Sequence, residues 1–535
     1  MKVRIALTGL AIAASTLALS PAVSAAPVPQ DIIGIGNLDP IVDSGTGSSA
    51  KATATFILAV KGQATHLQVL TIKSQVWKTI ASGKQDATGK TVFSISDPLE
   101  VLHEYRAISG TPPTVSNIVK YQAGSTTKNT GLSTVYFNSN DGESVNTRKK
   151  YFDGEFSMTG RGGCGAVAAQ KKAEMKGRGN YSWSFPKKSF TLKLDKKLNL
   201  CGMGESKKWA LVANHYDKSL LRTAAAFDIG SKLTNLAWTP SARPVDVYVN
   251  GSYRGSYDLV ERITAASGRI NVPELKNDTP ANKAANNVSP NVTGGYILEW
   301  DYRKGADHNV TAGGRGWVGI KEPEDEGDGS GITSAQINYI NSYVDSADQA
   351  LFGAGFKNNS SGWRKYIDIN SAVDYYIGQE LMKPVDGNMW ASVYMYKQRS
   401  GKLFFGPMWD YDLAAGSANR AGNAFGTTGW YLRNPINISA KQSTKTWFNR
   451  LNEDEEFRSA VRSRWNSVHS SLKSNDAFLG AQRSLVAKSA NENFKKWNVK
   501  EHLSTSQVVK GSWSAEVSYL RSWLNSRISW MNGQL

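Results

Sequence analysis

Cysteine is almost absent from this chain: Cys164 and Cys201 are the two in 535 residues. Histidine is scarce as well, with six, and no His-x-x-x-His or Cys-x-x-Cys spacing occurs. A protein zinc site draws on such clusters, so the sequence argues against zinc chemistry. Long apolar runs are missing after residue 25. No later stretch approaches the roughly eighteen uncharged apolar residues of a transmembrane helix. Acidic residues are the minority, 45 against 63 Lys and Arg, for a formal charge of +18.

The first 25 residues are of another kind. Lys2 and Arg4 precede a mostly apolar run from residue 5 to 19, and Val23-Ser24-Ala25 is a small-residue cleavage site. This is the pattern of a secretory signal peptide, not a membrane span. It predicts an exported, secreted protein with no transmembrane segment, and the cell wall is one place where its charge could dock it. Cleavage removes two positive and no negative charges from +18, leaving +16. Outside the cytoplasm Cys164 and Cys201 can form a disulfide; two unpaired buried thiols are the alternative.

Residues 26–50, rich in Pro, Gly, Ser and Asp, read as a linker. Residues 51–123 read as a small all-β sandwich, with β-branched and apolar runs separated by Gly62, Gly83, Asp97-Pro98 and Gly110. Residues 103–110 resemble a late strand of an immunoglobulin or fibronectin type III module. Residues 124–131 read as a polar linker. From 132 to 535 strands and helices mix without βαβ alternation, so the class is α+β. Asn250-Gly251 between alternating apolar runs predicts a hairpin. Ile332, Ile337, Ile340, Val344 and Leu351 recur at helical spacing, as do Val517, Leu520, Trp523, Leu524 and Ile528. The acidic stretch 322–331 lacks the spacing of an EF-hand and reads as a solvated loop.

Residues 171–197 carry nine Lys and Arg against Glu174 and Asp195. Gly177-Arg178-Gly179-Asn180 sits among them, followed by Tyr181, Trp183 and Phe185. Glycines let backbone N–H groups approach an anion, and Arg and Lys neutralise it, so phosphate binding is the chemistry this loop suits. A solvated basic face and a nucleic-acid patch are the alternatives, and export argues against nucleic acid. Phe190, Leu192 and Leu194 alternate with Thr191 and Lys193, which turns Lys193 toward whatever the loop covers.

Two strand-like runs between Asp386 and Asp412 flank a turn at Arg399-Ser400-Gly401. Pairing about that turn makes partner numbers sum to about 800. It gathers Asp386, Asn388, Asp410 and Asp412 at one open end. Carboxylates and an amide oxygen converging there suit Mg²⁺, which takes one or two carboxylates plus phosphate oxygens. One aspartate could instead orient an acceptor hydroxyl; turn-capping by Asp and Asn is the structural alternative.

These stretches, with residues 209–222, 247–263 and 294–299, resemble the CotH kinases (spore-coat-protein-H-like), over most of residues 132–535. The resemblance implies an atypical protein-kinase-like fold behind the sandwich, binding ATP with Mg²⁺ and phosphorylating protein Ser/Thr. It implies that Gly177, Arg178, Gly179 and Asn180 lie at the ATP phosphates and that Lys193 is the strand lysine holding them, with Glu299 a candidate ion-pair partner. Glu261 would sit near the nucleotide and Trp409 would stack on adenine. Asp386 would be the catalytic carboxylate, with Asn388, Asp410 and Asp412 at the metal. No His-Arg-Asp precedes the catalytic loop, and Tyr-Asp follows Asp410 where kinases have Phe-Gly. The expected function is an exported kinase acting on a secreted or cell-wall-associated protein. The alternative is a non-catalytic surface-binding protein on the same fold.

Overall fold

A computed structural model describes residues 35–535 apart from 39–41, 44–48, 58–61, 72–75, 97–102, 112, 122–127, 129, 141, 325–330, 420–424 and 434–444. The signal peptide, most of residues 124–131 and most of the acidic loop lie outside the described residues.

Strand formation begins earlier than composition suggests. Ile35–Leu38 pairs antiparallel with Ser49–Ile57, and Leu38 is buried. Residues 26–50 are therefore not simply a linker, because their sparse apolar side chains include one that the module's core needs. Ser49–Ile57, Val42–Asp43 and Lys90–Ser96 complete this first sheet. Ala64–Thr71, Trp77–Lys84, His103–Ser109 and two short strands form the second. Phe56, Leu67, Val69, Phe93 and Tyr105 share one buried cluster. Trp77–Lys84 escapes sequence reading because it is largely exposed and lacks a clean apolar face.

The next unit is a closed seven-stranded barrel. Its strands follow the order Ser133–Ser139, Phe152–Met158, Val167–Arg178, Ser189–Asn199, Glu205–Val212, Ser252–Glu261 and Ala242–Val249. The last pairs in parallel with the first. Alternation along each strand sends Phe137, Phe156, Met175, Leu192, Trp209 and Leu259 inward. Asn250 and Gly251 have φ of 48° and 76°, the left-handed pair that a two-residue hairpin of matching twist requires.

Cys164 and Cys201 are joined, 37 residues apart in sequence, and tie the start of one barrel strand to the end of the next. On chain entropy a loop of this length is worth roughly 4 kcal/mol. Reduction should therefore lower the unfolding midpoint, and non-reducing peptide maps should contain one linked peptide. Two freely alkylated thiols in folded protein would contradict the pairing.

A second sheet runs His308–Thr311, Trp317–Glu322, Tyr296–Trp300, Val393–Lys397, Leu403–Phe405. Helices Arg222–Lys232, Ser334–Phe352, Ile369–Met382, Glu455–Lys473, Asn475–Lys496 and Trp513–Asn532 pack on and beside it. Ile340, Val344 and Leu351 are buried, as are all five predicted positions of the last helix. Met395 pairs with Phe405 and Tyr396 with Phe404, the register the turn predicts. The ladder then stops, because Pro407 has no N–H to donate. Residues 406–412 run on as loop.

Candidate functional site

The barrel, the second sheet and helix Arg222–Lys232 enclose a cleft of about 440 Å³. Its barrel wall includes Gly177, Arg178, Gly179, Asn180 and Thr191, and its opposite wall includes Asp386, Trp409, Asp410 and Asp412. Two of the glycine positions have steric reasons. A Cβ on Gly177 would enter the Trp183 ring, and Gly179 has φ of 102° with Ser182 Oγ in the way of any side chain. Arg148 pins the turn, donating to Gly179 O at 2.6 Å and Asn180 Oδ1 at 2.9 Å.

The carboxylate wall is wound tightly. Asp368 caps helix Ile369–Met382 by accepting from Ser371 N at 2.7 Å. The helix ends at left-handed Lys383, whose Nζ donates to Gly426 O and Thr428 O. Asp386 follows, its backbone carbonyl accepting from Ala391 N at 2.8 Å. Asn388, Met389, Ser392 and Asp410 all have positive φ, between 48° and 68°. Each such non-glycine residue costs about 1–3 kcal/mol, a concentration typical of functional loops. Ser392 Oγ donates to Asp410 Oδ2 at 3.0 Å.

Burial, then the neighbouring Asp410 charge, pushes the Asp386 carboxyl well above its usual range. Burial, Asp410 and Asp386 do the same to Asp412. On the other side Arg303 forks onto Asp301 at 2.7 Å. Burial works against its charge, but Asp301, Asp410 and Asp386 outweigh it and hold it protonated. Arg178 is lowered by burial and by Arg262, and its guanidinium lies 5.1 Å from the centre of the Trp409 ring.

Five assignments differ from the sequence expectation. Lys193 does not line the cleft: it stands directly opposite Glu174 on the adjacent strand and pairs with it at 3.3 Å. Thr191, on the same face and nearer the loop, lines the cleft instead. Glu299 pairs with Lys321 at 3.4 Å rather than with Lys193. Glu261 lies between two lining residues, Val260 and Arg262, and is itself tucked away, accepting from Ser241 N at 2.9 Å and Arg269 Nε at 3.2 Å. Asn388 is buried beneath the wall, its Oδ1 accepting from Thr446 Oγ1 at 3.1 Å. Trp409 is not a bare platform: Phe227 stacks on it at 6.0 Å and Arg178 lies over it, so the ring seats the arginine. Arg222 is buried in an ion pair with Asp217.

Arg148, Arg262, Arg303 and Ser392 were not found from sequence. Asp301-Tyr302-Arg303, immediately after the Tyr296–Trp300 strand, is the signal that could have pointed to one of them.

Lys187 also lines the cleft but is fully used, donating to Ala213 O at 2.6 Å and to Ser256 O. Burial outweighs the attraction of Asp258 and Asp246, and with Lys218 opposing it the ammonium falls to about 7. An unfolded lysine keeps its proton to about 10.5, so between these values the unfolded chain binds more protons and stability rises with pH. Lys187→Met should flatten that rise. Urea midpoints from pH 7 to 10 that climb equally in both proteins would refute it.

A family model described as CotH kinase protein matches residues 175–531. That span contains every cleft-lining residue named above except Arg148. No curated protein matches the chain.

Proposed function

The chain belongs to the CotH kinase family, and on that premise we propose that it is an exported, ATP- and Mg²⁺-dependent kinase that phosphorylates Ser or Thr of a secreted or surface protein. What carries this reading is the convergence of Asp386, Asp410 and Asp412 opposite Arg178 and the glycine turn in one cleft. Asp386 and Asp412, pushed up by burial and by the carboxylates beside them, call for a cation nearby. Among the described residues no three His, Cys, Asp or Glu side chains are grouped to hold a metal by themselves. Mg²⁺ takes one or two protein carboxylates and completes its shell with waters and phosphate oxygens.

Asp410 and Asp412 would hold the ion; Asn388, committed to Thr446, is a poor ligand. Bound there, Mg²⁺ supplies neutralising charge to the transferred phosphoryl group. Arg178, braced by Trp409, and the backbone N–H groups of the glycine turn receive the phosphates. Asp386 accepts the proton of the acceptor hydroxyl as its oxygen bonds to the γ-phosphorus and the bond to the β–γ bridging oxygen breaks. Burial suits Asp386 to this role, since a carboxylate held above its usual range is a stronger base.

Calorimetry of ATP binding with and without Mg²⁺, then incubation with labelled ATP and candidate exported proteins, tests the proposal. Mg²⁺-dependent binding with label on Ser or Thr is expected. Binding without any transfer would favour the non-catalytic surface protein, and no binding would remove the nucleotide reading.

A further inference from the structure

Beside the glycine turn, sharing no lining residue with the cleft, lies a second groove of about 320 Å³. We propose that it is a binding site for a small aromatic anion and that its occupancy changes the affinity of the main cleft. Its aromatic walls are Trp183, Phe190, Tyr257 and Trp497. Its two charged lining residues, Lys188 and Arg254, are both cations, and no carboxylate lines it among the described residues. Arg254 has no acidic partner among the described residues, and its Nε is buried without a hydrogen-bond acceptor. Lys188 Nζ donates to Trp183 O at 2.5 Å and sits 5.1 Å from the centre of that ring. The volume is at the lower end for small-molecule sites. Flat rings gain from offset stacking on such walls, and an anion on the ring meets the charges of Lys188 and Arg254.

The groove and the cleft share a wall. Arg178, Tyr181, Ser182, Phe185, Lys187 and Ser189 line the cleft, whereas Trp183, Pro186, Lys188 and Phe190 line the groove. Gly177, a cleft residue, lies flush on the Trp183 ring. Tyr257 donates its hydroxyl to Lys188 O at 2.7 Å, and Lys187 Nζ lies 4.6 Å from the centre of the Tyr257 ring. A ligand that shifts Trp183 therefore moves the backbone that carries Arg178. The site stands by itself, whereas its effect on nucleotide affinity rests on the kinase reading.

Benzenesulfonate is the probe, titrated into the full mature chain and followed by tryptophan fluorescence, with benzyl alcohol as the uncharged control. Saturable binding is expected, weaker for the alcohol by about tenfold, the size of a lost charge-assisted hydrogen bond. Arg254→Gln and Lys188→Gln should each weaken the sulfonate by a comparable factor, and Arg254→Gln should leave Mg²⁺–ATP binding without the probe unchanged. In the parent, saturating benzenesulfonate should shift the Mg²⁺–ATP dissociation constant at least twofold, and in Arg254→Gln it should not. Equal sulfonate binding in parent and both variants, or simple competition with ATP, would overturn the site. Loss of ATP binding in the parent would overturn the kinase reading while leaving the sulfonate titration intact.

Discussion

Asp386→Asn should leave Mg²⁺–ATP binding nearly unchanged and lower phosphate transfer by roughly 10²–10⁴-fold, the usual worth of a general base. The substitution keeps the shape and the backbone contact to Ala391, and removes only the carboxylate that burial and Asp410 make more basic. Asp410→Asn should give a different signature. It removes a charge at the proposed metal position, so Mg²⁺–ATP binding weakens and transfer disappears together. Binding isotherms and single-turnover transfer, measured on both variants, separate the two roles. Both variants transferring phosphate at the parent rate would end the assignment; identical losses of binding would show that the two carboxylates act as one unit.

The largest effect on stability is expected at a pair of residues that do not line the cleft. Glu380 and Arg527 form an ion pair at 2.9 Å with no exposed surface on either side chain. Glu380 also accepts from the backbone of Tyr431 at 2.8 Å and Leu432 at 2.6 Å. Arg527 donates to Glu380 O at 2.9 Å and Gly429 O at 2.7 Å. Glu380→Ala leaves a buried guanidinium without its counter-charge, which typically costs about 3–5 kcal/mol. Replacing both residues with methionine should cost less than the single change, since no charge is then stranded. Denaturant unfolding of the three proteins decides it, and a single-variant loss below about 1 kcal/mol would contradict the argument. Glu380 lies in the helix that ends just before Asp386, so the same change should also loosen the loop that carries Asp386.

Sequence reading succeeded where local chemistry fixes geometry. The Ser400-Gly401 turn sets the register of Met395 on Phe405, and two positive-φ residues at Asn250-Gly251 admit one kind of hairpin. The same register pointed toward Asp386, Asp410 and Asp412, but the ladder ends before them and the loop 406–412 completes their approach. Sequence reading failed where distance along an element or approach between elements decides. Alternation chose the face for Lys193 but not how far from the loop it stands, and Glu174 claims it. Arg303 and Arg148 reach the cleft from loops whose positions depend on the whole fold. Residues 35–38 looked like linker because a strand held by one buried leucine leaves little compositional trace.

The closure of the barrel has a mechanical consequence. An open sheet can flex by changing its twist strand by strand, but a ring of seven hydrogen-bonded strands constrains every neighbour at once. Narrowing the cleft around a nucleotide therefore cannot come from bending that wall. A change in the cleft's width would instead move the barrel as one body, relative to the chain that leaves it after Val212, returns at Ala242 and leaves again after Glu261. If the chain binds a nucleotide as proposed, cross-linking one of these crossings should slow nucleotide exchange without touching a residue of the cleft's carboxylate wall.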